Sequence, residues 1–286
     1  MANITNPQQK PKFSVAIKSD AYQKLINDTL GNKEIARKFV AEISSVVSQN
    51  PQLQDCDAAS ILSAGLLAQS VNLSLAPSLG LCYLIPFNSK NGKKAQYQIS
   101  YKGLIQLAQR SGVISALNAR PVHENELAGY NKFGEPEFRF GDEFQTTKVV
   151  GYFAYFTTTS GFEKTMYMTV EQCQAHAKKY SKSYGNGKGT DLWTDDFDFM
   201  CRKTVLKLLL NRYAPLSIEM QKVIQADQSA VNEDGTFTYV DNADYEEENQ
   251  PKTKRTTVTN TIDLEDEETA ETSDFDAYMP SDETLV

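Results

Sequence analysis

From Asn32 to Gln49 the run NKEIARKFVAEISSVVSQ returns to an apolar residue every three or four positions. Ile35, Phe39, Val40, Ile43 and Val46 or Val47 therefore fall on one stripe. That spacing predicts an amphipathic helix, stopped by Asn50-Pro51. Asp57 then offers an N-cap to AASILSAGLLAQSV, a second helix so small and apolar on every side that it belongs between other elements. Asn72 is a credible left-handed terminator for it.

The period shortens to two in LCYLIPF (Leu81 to Phe87) and AQYQIS (Ala95 to Ser100), which flank NSKNGKK. Asn91-Gly92 is a strong two-residue turn signal, so these runs predict an antiparallel hairpin with a basic tip. Tyr101 to Ser111 reads as a helix closed by Gly112, with Leu104, Leu107, Ala108 and Ser111 on one face and Lys102, Gln106, Gln109 and Arg110 on the other. Beyond a turn-rich stretch from Asn131 to Asp142, VVGYFAYFTTTSGFEKTMYMTV alternates as a second hairpin with Ser160-Gly161 at its turn. Thr169 and Gln172 have the spacing of a capping box for a helix running to about Tyr180. SKSYGNGKGTD follows as a Gly-rich basic loop. The helix from about Asp195 to Tyr213 buries Phe199, Val205, Leu206, Leu209 and Leu210, while Lys203, Lys207 and Asn211 recur at four-residue steps. Helices alternate with antiparallel hairpins and lack the regular repeat of a parallel sheet, which predicts an α+β fold of β-hairpins packed with helices.

Charge divides the chain. The net value of −8 hides a body, residues 1–226, with 26 Lys+Arg against 19 Asp+Glu, and a tail, residues 227–286, with 3 against 18. The body is thus +7 and the tail −15. A basic body suits a polyanion, because each neutralised phosphate releases counterions, although a surplus of seven also fits an ordinary soluble surface. The tail is poor in large apolar residues and is expected to be disordered alone. Three regions are therefore expected: a flexible arm over residues 1–18, a core over 19–226 and an acidic tail over 227–286. The opening MANITNPQQKPKF lacks the apolar core of a signal peptide, and no run approaches the roughly 20 apolar residues of a membrane span, so a soluble cytoplasmic protein is expected.

Few residues offer covalent chemistry. The four cysteines, Cys56, Cys82, Cys173 and Cys201, form no C-x-x-C pair and read as reduced thiols. Cys173 and His176 share a helix face but have no second ligand pair, so neither a metal nor another cofactor is expected. The only histidines are His123 and His176, and hydrolase, zinc-protease and dinucleotide fingerprints are missing. Gly185-Asn186-Gly187-Lys188-Gly189-Thr190 imitates a phosphate loop but fails as one: Gly189 separates Lys188 from Thr190, and Lys182 stands where the leading glycine belongs. Asp195, Asp196 and Asp198 form an acidic cluster that a metal-dependent nuclease would need, yet their position before a helix suits capping of its positive end.

Basic and aromatic residues interleave in three places: Tyr97, Tyr101 and Lys102; Lys178, Lys179, Tyr180, Lys182 and Tyr184; and Trp193, Arg202, Lys203 and Lys207. Such a mixture suits single-stranded nucleic acid, with cations tracking phosphates and rings stacking on bases. Tyr97 and Trp193 fit the core equally well, and Lys203 with Lys207 also fits a solvated helix face.

The segments AQYQISYKGLIQLAQRSG (Ala95 to Gly112), VVGYFAYF, GFEKTMYMT, MCRKTVLKLLL (Met200 to Leu210) and LSIEMQ (Leu216 to Gln221) resemble, in order and spacing, the RecT family of phage and prophage single-strand annealing proteins. The resemblance runs from about Ser19 to Gln225. It implies a Rad52-like annealing fold and an ATP-independent, non-catalytic recombinase in a bacterial host cell. Such a protein coats single-stranded DNA, holds the annealed duplex intermediate and forms a homo-oligomeric ring or helical filament. A 5′ to 3′ exonuclease and the host single-strand binding protein are implied partners; magnesium would assist annealing without a bound site. By position, Lys102, Gln106 and Arg110, then Arg202, Lys203 and Lys207, would line the DNA groove, with Tyr97 and Gln98 as weaker transfers. A metal-dependent nuclease and a passive DNA-binding protein are the alternatives.

Overall fold

A computed structural model describes residues 11–89, 92–141, 147–181, 184, 192–227, 229–231 and 237–239. Five helices come first: α1 (Phe13–Ala16), α2 (Asp20–Leu30), α3 (Lys33–Gln49), α4 (Pro51–Gln54) and α5 (Ala58–Ser70). Their ends follow local chemistry. Asn32 caps α3, its Oδ1 accepting from the amides of Glu34 at 2.8 Å and Ile35 at 3.2 Å. Asp57 caps α5 through the amide of Ser60, and Asn72 adopts the left-handed conformation beyond it, with φ +51°. Helix α5 is apolar on nearly every side because Ile61, Leu62, Ala64 and Ala68 are all buried.

The hairpin β1 (Cys82–Ser89) and β2 (Gly92–Ile99) pairs from Cys82↔Ile99 to Ser89↔Gly92, a register that leaves two residues for the turn. Helix α6 (Tyr101–Arg110) follows directly. A second sheet, in the order β3-β6-β7, contains β3 (Ile114–His123), β6 (Val149–Thr158) and β7 (Glu163–Thr169), all antiparallel. Pro121 interrupts the amide pattern of β3, which is tolerated because β3 is an edge strand. Between β3 and β6 stands a small hairpin, β4 (Leu127–Tyr130) with β5 (Pro136–Phe138). The remaining helices are α7 (Val170–Tyr180), α8 (Leu192–Asp195), α9 (Phe197–Tyr213) and α10 (Ile218–Gln225). The capping box at Thr169 and Gln172 forms with both reciprocal bonds present. Helix α9 packs across the second sheet and against α6, burying Val205, Leu206, Leu209 and Leu210. The architecture is α+β, with mixed helices and antiparallel sheets.

Both expected region boundaries move. Phe13 and Ile17, placed in a flexible arm by their polar surroundings, are 1 % and 2 % exposed and belong to the core. At the other end the chain continues into β8 (Ser229–Val231) and β9 (Phe237–Tyr239), which extend the first sheet in the order β1-β2-β8-β9. The fold therefore passes residue 227, where acid-rich composition marked its end. Residues 1–10 and 240–286 lie outside the described residues, as do Lys182 and the Gly185–Thr190 run. No described helix is long and apolar enough to cross a membrane.

Candidate nucleic-acid interface

Helix α6 is set by its first turn. The Ser100 hydroxyl accepts from the amide of Gly103 at 2.9 Å and donates to the carbonyl of Gly80 at 2.6 Å. A Cβ on Gly103 would lie 2.2 Å from the Leu81 carbonyl oxygen, so only glycine lets the helix approach the start of β1 this closely. Leu104, Leu107 and Ala108 are buried, and Lys102, Gln106 and Arg110 recur at four-residue steps on another stripe. The ends of that stripe hold the connection between α5 and β1. Lys102 Nζ donates to the Leu79 carbonyl at 3.0 Å, and the Arg110 guanidinium donates to the Asn72 carbonyl at 3.1 Å. Both side chains remain exposed.

The connection is pinned from beneath by Glu42 of α3. One of its carboxylate oxygens accepts from the amides of Leu75 at 2.8 Å and Ala76 at 3.2 Å, and from the Ser74 hydroxyl. Glu42 thereby fixes the carbonyl row that anchors both cations. At a rise of about 1.5 Å per residue, Lys102 and Arg110 are separated by about 12 Å along the helix, a length that spans three to four nucleotides at roughly 3.4 Å each. Each cation has donors beyond the one used here. A depression of about 370 Å³ adjoins Arg110, lined also by Asn72, Ser217 and Met220.

Helix α9 behaves differently from its sequence reading. Arg202 is half-buried and pairs with Asp198 at 2.6 Å, one turn earlier. Beside it Tyr101 meets Phe199 edge-on at 5.9 Å; burial raises the Tyr101 phenol and the Arg202 charge lowers it, with a net rise. Lys203 does not lie on a solvated face: it is 4 % exposed, and its ammonium is 3.2 Å from Asp227 Oδ1. Lys207 reaches the other oxygen of Asp227 at 2.9 Å. Asp227 Oδ1 also accepts from the Ile99 amide at 3.0 Å, so the triad joins α9 to β2. Burial alone would raise the Asp227 carboxyl, but the two ammonium groups outweigh it and hold the acid below its ordinary value. Four-residue spacing gave Lys203 and Lys207 a shared face; the acid that claims them lay in the supposed tail.

A third group gathers where α7 meets α8. Lys178 and Lys179 are exposed, with Lys179 Nζ 5.0 Å from the Tyr180 ring centre. His176 packs on Tyr180 with ring centres 4.5 Å apart and planes tilted by 42°, and neighbours Trp193 at 6.1 Å. Burial, then the charges of Lys207 and Lys179, push the His176 imidazole down to about 4. Trp193 is 3 % exposed among His176, Tyr184 and Phe197, which corrects its reading as a base-stacking platform. Tyr97 is corrected likewise, being 0 % exposed within the core, while Gln98 beside it is half-buried. The face presented to water thus carries Lys102 and Arg110 on α6 and Lys178 and Lys179 on α7, with Gln106 half-buried between the first two, whereas Tyr97, Trp193 and Lys203 serve the interior.

The acidic cluster resolves into local roles. Asp196 caps α9 through the Phe199 amide at 3.2 Å, and Asp198 is the partner of Arg202. Among the described residues no group of three or more His, Cys, Asp or Glu could hold a metal ion. The sequence reading also missed an aromatic layer on the outer side of the second sheet. There Phe153 packs on Phe138 at 5.1 Å and Phe140 at 5.0 Å, and Arg120 lies 4.5 Å over Phe140. The signal was present in VVGYFAYF, where aromatic residues occupy both phases of the alternation and so line both faces.

An α+β body with exposed, anchored basic side chains on one helix stripe is a surface suited to a polyanion. The chain belongs to the RecT family, whose sequence pattern it matches over residues 37–257. It is similar to the uncharacterized protein YqaK of Bacillus subtilis (strain 168), 37 % identical over 230 residues, covering 79 % of this chain and 76 % of that protein. It is also similar to Protein RecT of Escherichia coli (strain K12), 32 % identical over 200 residues, covering 68 % of this chain and 71 % of that protein. Family membership supports a general role in DNA recombination or strand annealing. The match passes both Gln225 and the β9 strand, in keeping with a fold that extends beyond residue 227.

Proposed function

We propose that this protein binds single-stranded DNA and pairs complementary strands without ATP and without breaking a covalent bond. The observation that carries the reading is the pair of exposed cations Lys102 and Arg110 on one stripe of α6, held at the carbonyls of Leu79 and Asn72, with the half-buried Gln106 between them. Each base-pair step formed yields about 1.4 kcal/mol of stacking, so the duplex product supplies the driving force. What the protein must do is screen repulsion between two phosphate chains while leaving the pairing edges uncovered. Contacts therefore fall on phosphates and sugars, and sequence preference is slight. Complementary tracts exceed what one body can span, which favours a homo-oligomer, ring or helical filament, with a Rad52-like arrangement of the core. No bound cofactor enters this scheme, and magnesium acts only as a diffuse counterion. The acid-rich residues beyond 240 serve as a docking tail for a 5′ to 3′ exonuclease or the host single-strand binding protein in the bacterial cytoplasm.

The test mixes complementary oligonucleotides with the protein in the absence of nucleotide and follows both duplex formation and strand length. Faster pairing with intact strands supports the proposal. Shortened strands would replace it with a nuclease, and binding without faster pairing with a passive DNA-binding protein.

A further inference from the structure

The hairpin β1–β2 buries one face and opens the other. Cys82 and Leu84 on β1 and Ala95, Tyr97 and Ile99 on β2 share the inner face and are all buried, and α5 packs against both strands. Alternate residues point the opposite way. There Tyr83 is 39 % and Ile85 38 % exposed, directly across from Gln98 and Gln96. Among the described residues the Tyr83 ring has no aromatic partner, so its flat side is open to a ligand.

This ring lies beside the cation at the start of α6. A Cβ placed on Gly80 would come 3.1 Å from the Tyr83 hydroxyl, which therefore sits over Gly80. The Gly80 carbonyl accepts from Ser100 at 2.6 Å, and that of Leu79, one residue earlier, accepts from Lys102 Nζ at 3.0 Å. Adjacent Cα atoms are about 3.8 Å apart, so the phenol and the ammonium end close enough for one nucleotide to bridge them. The Leu79 side chain, 46 % exposed, continues the apolar surface between them. Charge selects the ligand. Residues 58–123 contain no Asp or Glu, and the two acids that reach this hairpin from elsewhere are paired, Asp55 with Lys93 and Asp227 with Lys203 and Lys207. An open ring with a cation beside it and no acid to repel phosphate suits a molecule that joins negative charge to a flat apolar face. A peptide of that character would have to alternate acids with aromatic rings, whereas every nucleotide supplies both.

We infer that a base of the bound strand stacks on Tyr83 while a neighbouring phosphate lies at Lys102. Stacking takes the flat side of a base and leaves its pairing edge free, which is the state that annealing requires. Every base has such a side, so the contact reads no sequence. The inference rests on the single-strand binding proposed above and deepens it by naming where a base is held.

Fluorescence anisotropy tests it with two oligonucleotides of equal length, one of thymidine and one abasic, which share a phosphate chain and differ in bases. Tyr83→Ser is expected to weaken thymidine binding about fivefold or more, with abasic binding unchanged. The salt slope should stay at the wild-type value, because no phosphate contact is lost. Tyr83→Phe should bind as the wild type does. Independently of any variant, an oligonucleotide carrying 5-iododeoxyuridine is expected to cross-link under ultraviolet light to Tyr83 of the wild-type protein, as located by mass spectrometry. Unchanged thymidine affinity in Tyr83→Ser, an equal loss on both oligonucleotides, or a cross-link confined to other residues would overturn the inference and leave single-strand binding standing. Wild-type protein that binds neither oligonucleotide would overturn both. Tyr83→Ser protein that binds thymidine normally but no longer assembles would make this face a contact between copies instead.

Discussion

Asp227 holds the Lys203 ammonium at 3.2 Å with both side chains almost wholly out of water. The acid belongs to a stretch whose composition suggests a solvated tail, yet it fastens α9 to β2 through Lys203, Lys207 and the Ile99 amide. Removing one partner of a buried pair leaves an uncompensated charge, at a cost of about 3–5 kcal/mol. Asp227→Ala is accordingly expected to lower unfolding free energy by that order in urea titrations. Lys203→Ala is expected to act through the fold also; if it weakens DNA binding at full stability, the triad is not structural.

Acid should loosen the same triad. The Asp227 carboxyl is held below its ordinary value of 3.8, so it contributes stability above the unfolded-state pKa and loses it as pH falls through the lower folded value. Below about pH 4 the wild-type thermal midpoint should therefore drop more steeply than that of Asp227→Asn. Parallel curves would assign the acid sensitivity to other groups.

His176 acts in the same sense but in a higher pH window. Burial first, then Lys207 and Lys179, push it down to about 4, so between pH 6.5 and about 4 the unfolded chain takes up a proton that the folded chain refuses. Stability from this group is full above pH 6.5 and declines on acidification, by at most about 1.4 kcal/mol per pH unit. His176→Gln is expected to flatten denaturation midpoints across that window. An unchanged slope would mean that the imidazole protonates freely in the native protein.

Lys102 and Arg110 should behave as surface cations that DNA meets. Lys102→Ala and Arg110→Ala are each expected to weaken single-strand binding alike on unrelated sequences and to reduce the slope of log affinity against log salt by about 0.7. Thermal stability should change by no more than about 0.5 kcal/mol. Fluorescence anisotropy over a salt series decides it, and a wild-type slope in both variants would remove these residues from the interface.

Glu42 has no claim on DNA itself, but it fixes the carbonyl row under those two cations. Hydrogen bonds to a charged group contribute about 1.5–3 kcal/mol, and Glu42→Gln forfeits part of that. The expected outcome is faster proteolysis between residues 72 and 79, together with single-strand affinity lowered several-fold and a salt slope kept at the wild-type value. A lowered slope would mean that phosphate contacts had been lost outright.

Where periodicity was strong, sequence and structure agree. The helix over Lys33–Gln49, the β1–β2 hairpin, the capping box at Thr169 and the basic stripe of α6 all rest on local chemistry that the chain states within a dozen residues. Within them, however, Ile35 is exposed with Ala36 buried instead, and Gly92 pairs with Ser89 inside β2 rather than lying in the turn. What was illegible depends on distant partners. The burial of Lys203 is decided by Asp227, 24 positions away, and the loop beside α6 by Glu42, more than 30 away. Strand β3 escaped because Pro121 argues against a strand unless the edge position is known. Tyr97 and Trp193 show why an aromatic residue next to lysines is ambiguous: rings fill cores and meet bases by the same apolar faces.

The most direct measurement is the rate at which matched oligonucleotides become duplex without nucleotide, comparing wild-type protein with the Lys102→Ala, Arg110→Ala double variant at equal stability. Marked acceleration by the wild type and loss of most of it in the variant is the predicted result. Equal rates for the two proteins, or a wild-type rate no faster than that of free strands, would contradict it.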